Sequence, residues 1–488
     1  MRIERAAVRA ACVGLAMLTL AATAARNDAP IGQVDAETDS GRAFVSRPDL
    51  DVPLILTKTY GPPGATRPVD DDLVLVAPKD GAPMTGPLIL DTDGEPVWIY
   101  PLDSERAYDL RVQEYQGKPV LTWWRGLNLG VGYGYGRYQI MDQHYRVIAT
   151  VTTRGSLADH HGMTLTDDGT ALLITYRKAP YDLSELGGPE DGYVVNEVVQ
   201  EVDVQTGKVV FSWSGLDHVP VGQTEARIGP DSLGDGTLTS PLDYLHVNSV
   251  TEDRDGSLLI SARNTHAIYR VDRETGKVDW TLGGKASDFR MLGDSRFAWQ
   301  HDAHRQPDGT ITLFDNEAGP AVGDESRGLR LAVDPKTHTA RVVTEYLPPD
   351  GRLSSSQGNL QVMPDGHAFI GWGGLPFYSE YAADGRLLMD AQIISGQSYR
   401  AYRQHWVGRP LHPPDLVVED GVAHVSWNGA TEVEAWRVLT GDDAASARVY
   451  VTAPRSAFET AIDVPDDAPY LAVQALDDHG RMLATVRD

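Results

Sequence analysis

The chain has 488 residues and a formal net charge of −26 at pH 7. That length exceeds one ordinary compact domain, and that charge argues against nucleic acid as a partner and for a well-solvated exterior. An anionic ligand would meet a repelling surface, so a site for one needs its own local cations.

Residues 1–24 read as a secretory signal peptide. Arg2, Arg5 and Arg9 form a basic start, the run from Ala10 to Leu20 is apolar but too short to span a bilayer, and Ala22-Thr23-Ala24 is a cleavage site. Cleavage there deletes three basic and one acidic residue and takes the net charge from −26 to −28. Cys12, the single cysteine, lies inside this peptide. The mature chain then has no thiol, which excludes disulfides, thiolate metal ligands and cysteine nucleophiles. No second apolar run reaches transmembrane length. The expectation is a secreted protein, extracellular or in the cell envelope, whose residues 25–48 form a polar leader.

Strand character begins near Val52. DLVLVAP (72–78) and GPLILDTDGEPVWIY (86–100) give a first hairpin group, and DLRVQEYQGKPVLTWWRG (109–126) follows with its turn at Gly117. ADHHGMTLTDDGTALLITYR (158–177) comes next, and TGKVVFSW (206–213) closes that group. Residues 214–240 are rich in Gly, Asp and Pro and form a long loop, of the kind that often covers a site. The stretch 245–284 then parses into four short β-runs separated by Asp/Gly turns, which is the unit of one β-propeller blade.

Antiparallel pairing about the Asp255-Gly256 turn sets His246 beside Arg263. Two other segments repeat the pattern. His161 lies eight residues before the turn glycine Gly169, and His301 lies eight before Gly309; His246 lies ten before Gly256, but its turn is two residues longer. Three histidines therefore share one register, and ring closure brings them with Arg263 to one mouth of an axial channel. Trp124, Tyr176, Arg263 and Asn316 each lie seven residues after a turn glycine, so aromatics face the same mouth. His160 and His304 fall off the register and are expected as neighbours of the site.

SRGLRLAVD (326–334) with TARVVTEY (339–346), and then GNLQVMPDGHAFIGWGG (358–374), supply later groups; in the last of these Gly358 holds the register position. Turn signals allow five to seven blades over 49–408, and six is the expectation. Residues 409–414 form a short stiff linker. Residues 415–488 then read as about seven short strands, an extra sandwich similar to a fibronectin type III module, with Trp427 and Trp436 as its core aromatics. The fold expected is all-β: a six-bladed β-propeller followed by a small fibronectin type III-like β-sandwich.

The segments FVSRPDL (44–50), DHHGMTLTDDGTALLITY (159–176), LHVNSVTEDRDGSLLISARNTHAIYRVD (245–272), WQHDAH (299–304), FDNEAG (314–319), QGNLQVMPDGHAFIGWGGLPFYSEY (357–381) and SYRAYRQHW (398–406) resemble the secreted arylsulfotransferase family, especially its actinobacterial and fungal branch. The resemblance implies a propeller that moves a sulfuryl group from an aryl sulfate to a phenol without a nucleotide donor, through a transiently sulfated histidine, with no cofactor and no metal. By position that histidine matches His301. His246 and Asn248 match the family's His-x-Asn pair, Arg263 its site arginine and His161 its earlier histidine. Trp124, Tyr176 and His304 are expected to contact substrate, and Asp302 stands where the family's well-studied members have threonine. Two other readings stay open on the residues alone: a histidine-liganded metalloenzyme, and a secreted propeller with a binding role.

Overall fold

The computed structural model describes residues 41–60, 72–229 and 234–488. The expected signal peptide, Cys12 and residues 25–40 of the leader lie outside the described residues. The described chain is nearly all β-structure, and no helix in it is long and apolar enough to cross a membrane.

Up to His405 the described residues build six sheets of four or five strands, beside two short two-stranded pairings. The stretch read as four β-runs forms Val247–Glu252, Leu258–Ala262, Ala267–Val271 and Val278–Gly283, paired in that order. Inner strands such as Leu258–Ala262 and Ile311–Asp315 are buried on both faces along their whole length, between neighbouring sheets. The reversals depend on left-handed glycines: Gly256 has φ +85° and Gly309 φ +95°. There a side chain would strain the turn. Two short parallel additions escape any period-2 pattern: Leu242–Asp243 joins Tyr193–Asp203, and Arg290–Leu292 joins Thr339–Tyr346.

The two ends of this region are exchanged. Tyr402–His405 pairs with Asp72–Val76 and completes the first sheet, while Ile55–Thr59 pairs with Leu387–Ile393 at the edge of the sixth. Side-chain bonds also join each innermost strand to the next. Gln404 brackets Val112, Gln113 bonds Met163 and Leu165, and Thr164 bonds Val250. Asn248 bonds Gln300, Asn316 bonds Gln357, and Asn359 brackets Ala401. The bonds thus run around all six sheets and back to the first. An apolar core lies at each junction: Leu259, Ile268 and Leu313 share one between the fourth and fifth sheets, and Leu75, Leu121 and Trp123 another between the first and second.

Residues 415–488 form two antiparallel sheets of three and four strands. Trp436 is buried in their shared core, whereas Trp427 packs at its margin and donates Nε1–H to the His412 carbonyl at 2.7 Å. This unit docks on the first two sheets. The Asn428 side chain accepts from Ile99 N–H and donates to Ile99 O, both at 2.9 Å, and Tyr145 OH donates to Gly429 O at 2.8 Å. Ser46, in the FVSRPDL segment, donates to Glu459 of the same unit. Asn428→Ala strands both Ile99 groups, so unfolding in urea should show a loss of about 1–3 kcal/mol.

Candidate active site

His161, His246 and His301 meet. One ring nitrogen from each lies within 4.8 Å of the others, and all three side chains are buried. His246 reaches the cluster from a left-handed backbone (φ +53°) just before Val247–Glu252, and Arg263 N–H donates to its carbonyl at 2.9 Å. His301 opens the strand His301–Arg305 between two more left-handed residues, Trp299 (φ +58°) and Asp302 (φ +59°). Such backbone costs on the order of 1–3 kcal/mol per residue and persists where the surroundings enforce it. Gln300 does part of that: its Nε2 donates to Ser261 Oγ, Ala262 O and Ala267 O of the fourth sheet.

Every Nδ1 in the cluster has an acceptor. His161 Nδ1 bonds Asp159 Oδ1, His246 Nδ1 bonds Asp243 Oδ2 at 2.5 Å, and His301 Nδ1 bonds Asn316 Oδ1 at 2.7 Å. An acceptor at Nδ1 places the proton there and leaves the lone pair on Nε2. His301 Nε2 accepts the Gln357 N–H at 3.1 Å. Burial pulls His301 well below the ordinary histidine range, and the Arg263 charge pulls it further. Burial, then His246, does the same to His161. Both imidazoles are neutral at neutral pH.

Behind His246 stands a carboxyl pair. Glu197 Oε1 accepts the His246 N–H at 3.1 Å. Burial, then the Asp243 charge, holds Glu197 well above the usual carboxylic range. Burial would also raise Asp243, but His246 and Glu197 pull it below that range. One acid therefore stays protonated beside one carboxylate, and the carboxylate orients the imidazole.

Arg263 is almost wholly buried, and its hydrogen bonds go to neutral acceptors: Asn264 Oδ1 at 2.8 Å, Gly319 O at 3.2 Å and Ser355 O at 3.0 Å. Its guanidinium lies 4.7 Å from the centre of the Trp299 ring. Burial brings its pKa down to about 10, so it remains charged at neutral pH. A buried cation held by neutral acceptors suits an incoming anion, because that anion would balance its charge.

The other expected residues fall into place differently. Tyr176 stacks on His161 with centroids 5.6 Å apart and donates its hydroxyl to Val247 O. It belongs to a column of rings in which Tyr108 stacks on His160, His160 on His161, and Tyr176 on Tyr133. Trp124 is fully buried, edge-on to His160 at 5.5 Å, and donates Nε1–H to Ala158 O. It therefore backs the column, one ring removed from His161. Asn248 Nδ2 donates to Gln300 O at 2.7 Å, and its buried Oδ1 has no hydrogen-bond partner among the described residues. His304 does not join the cluster. Its Nε2 pairs with Asp302 Oδ1 at 3.0 Å, and it sits three residues along the strand, opposite Thr312. That sets it about 10 Å along the strand from His301.

Two features were missed by the sequence reading. Arg400, from the last innermost stretch, donates to Asp109 Oδ1, to the carbonyls of His161 and Asn248, and lies 3.2 Å from Asp302. It fills the space where the innermost strands converge, which explains the aspartate after Gln300-His301. The glycine-rich hairpin 126–136 covers the cluster: a Cβ on Gly132 would lie 3.2 Å from His246 Cε1, and one on Gly134 would lie 3.1 Å from His160 Nδ1. The repeated Gly-x-Gly in this segment was the available signal. The loop at 214–240, by contrast, sends Ala226 and Ile228 against the core between the third and fourth sheets.

No curated protein matches the chain. Solved structures that resemble it include a Bacteroides caccae protein of unknown function (11% identity, 69% of this chain and 100% of that one, TM-score 0.42). They also include a Lactobacillus plantarum protein (11% identity, 86% and 100%, TM-score 0.37). A third is a catalytically inactive virginiamycin B lyase from Staphylococcus aureus with quinupristin (8% identity, 77% and 97%, TM-score 0.35). Likeness at that level says nothing of the chemistry. The sequence profile described as Arylsulfotransferase (ASST) matches residues 111–394, more than half of the chain and the part that carries His161, His246, Arg263 and His301. The chain belongs to the arylsulfotransferase family.

Proposed function

We propose that the protein moves a sulfuryl group from an aryl sulfate to a phenol through a sulfated His301, with no nucleotide donor. The observation that carries this reading is the meeting of three buried imidazoles beside a buried guanidinium whose hydrogen bonds, among the described residues, go to neutral acceptors. In the first step His301 Nε2 attacks sulfur, the bond from sulfur to the aryl oxygen breaks, and a phenolate leaves. Arg263 and the Gln357 N–H, once released from Nε2, balance charge on the sulfuryl oxygens. The imidazolium keeps its Nδ1–H on Asn316 Oδ1. In the second step the acceptor hydroxyl attacks sulfur, His161 Nε2 takes its proton, and the nitrogen–sulfur bond breaks. The proton gained from the acceptor is the one the donor phenolate needs, so the cycle balances. His246 and Asn248 assist Arg263, and the ring column offers an aromatic wall beside the site.

This reading includes a fold and a place. The six sheets are the blades of one closed propeller, the C-terminal unit is a fibronectin type III-like module, and the protein is exported after cleavage at Ala24. The test is turnover of a chromogenic aryl sulfate with a phenol as acceptor: release of the chromogenic phenol should require the acceptor and follow ping-pong kinetics. Release that ignores the acceptor would mark a hydrolase.

Two further outcomes follow from the geometry. His301 is held far below the ordinary range, so no proton must leave it before attack. The transfer rate should therefore not fall as pH drops through about 6.5, the ordinary histidine value, in a pH–rate profile. Gly132→Ala places a methyl against His246 at a left-handed position. It should cut kcat/KM about tenfold, or about 1.4 kcal/mol. Gly130→Ala, also at positive φ but with open space around it, should leave kcat/KM near the parent value.

A further inference from the structure

The three imidazoles have a second chemical capacity. Each Nδ1–H is held by a fixed acceptor, two of them carboxylates, and the ring nitrogens meet within 4.8 Å. A carboxylate or amide that holds Nδ1–H and leaves Nε2 as the lone-pair nitrogen is how proteins present imidazole to a transition metal. We propose that His161, His246 and His301 also form a binding site for Zn2+ and similar borderline metals, and that a bound metal blocks sulfuryl transfer. The blocking effect rests on the sulfuryl-transfer reading above; the binding does not.

The donor set is all nitrogen. It suits Zn2+, Co2+, Ni2+ and Cu2+ and offers no oxygen to Mg2+ or Ca2+. Tetrahedral zinc with bonds of about 2.0–2.1 Å sets nitrogens about 3.4 Å apart, so the rings have to close slightly. His301 Nε2 must also give up the Gln357 N–H that it accepts at 3.1 Å. Arg263 opposes a bare cation here, since its charge already acts on His301 and His161. The same guanidinium favours an anion as fourth ligand. Chloride, hydroxide or sulfate between metal and arginine balances both. The lone pair that would attack sulfur is then occupied by the metal.

Co2+ is the probe, added to the full chain as purified. Visible absorption bands of four-coordinate Co2+ should appear, disappear on adding Zn2+, and be lost in His161→Gln and in His246→Gln. Absent bands, or bands unchanged in both variants, overturn the site. X-ray absorption of the Zn2+-loaded parent protein needs no variant: three imidazole ligands support the site, and fewer overturn it. In the aryl sulfate assay Zn2+ should stop transfer, EDTA should restore it, and Mg2+ should do nothing. Zinc bound with transfer intact overturns the competition. Zinc bound by a protein with no aryl sulfate turnover leaves the metal site standing and counts against the sulfuryl reading alone.

Discussion

His301→Ala should lower transfer from an aryl sulfate to a phenol by about a thousandfold or more, the equivalent of about 4 kcal/mol in the barrier. The variant keeps Arg263, His161 and His246, so donor binding changes less than turnover. It leaves a small cavity lined by Asn316 Oδ1 and the Gln357 N–H, which the ring now contacts. Free imidazole added at high concentration fits that space and should restore part of the rate. A thermal melt checks that the loss is chemical, because removing a buried ring also costs stability. Near-full transfer by a folded His301→Ala protein would remove the nucleophile from the account, whatever else the ring does.

The second large effect is expected at Arg263. Arg263→Met keeps the length of the side chain and its packing on Trp299 but removes the charge. If the guanidinium balances the sulfuryl oxygens in the transition state, kcat/KM should fall about a hundredfold to a thousandfold. A structural role alone would lower stability and the amount of active protein without touching the pH profile. The electrostatic role predicts more. Arg263 helps to hold His301 and His161 below the ordinary range. Without it both imidazoles gain protons at higher pH than before, so an acid limb absent from the parent profile should appear. Arg263→Lys keeps a charge but not the planar fork. It should recover the parent profile while recovering only part of the rate.

Much of this was legible in the chain. Asp/Gly turns and period-2 alternation place the strands, and counting from each turn glycine places side chains across a hairpin. That count brings His246 to Arg263, Tyr176 to His161 and Asn316 to His301. For Trp124 it places the ring at the right end of its sheet, edge-on to His160, but register does not say whether space remains in front of a residue. What stayed hidden depends on contacts between distant segments. Glu197 belongs to the third sheet, Asp243 to a short parallel addition on it, and His246 leads into the fourth. Only their packing makes one relay of the three. Arg400 comes from the chain's return to the first sheet, so its neighbours Asp109 and Asp302 lie about three hundred and about one hundred residues away. His304 falls off the register in the sequence, and a bulge after His301 and the rise of the strand set it apart from the cluster.

The most direct measurement is mass spectrometry on protein mixed with an aryl sulfate in the absence of acceptor and then digested. The peptide that spans Gln300–His304 should carry one sulfuryl group, located on His301, and should lose it when a phenol is added before digestion. An aryl sulfate that is turned over while this peptide stays unmodified, or a sulfuryl group that sits on a different residue, contradicts the account.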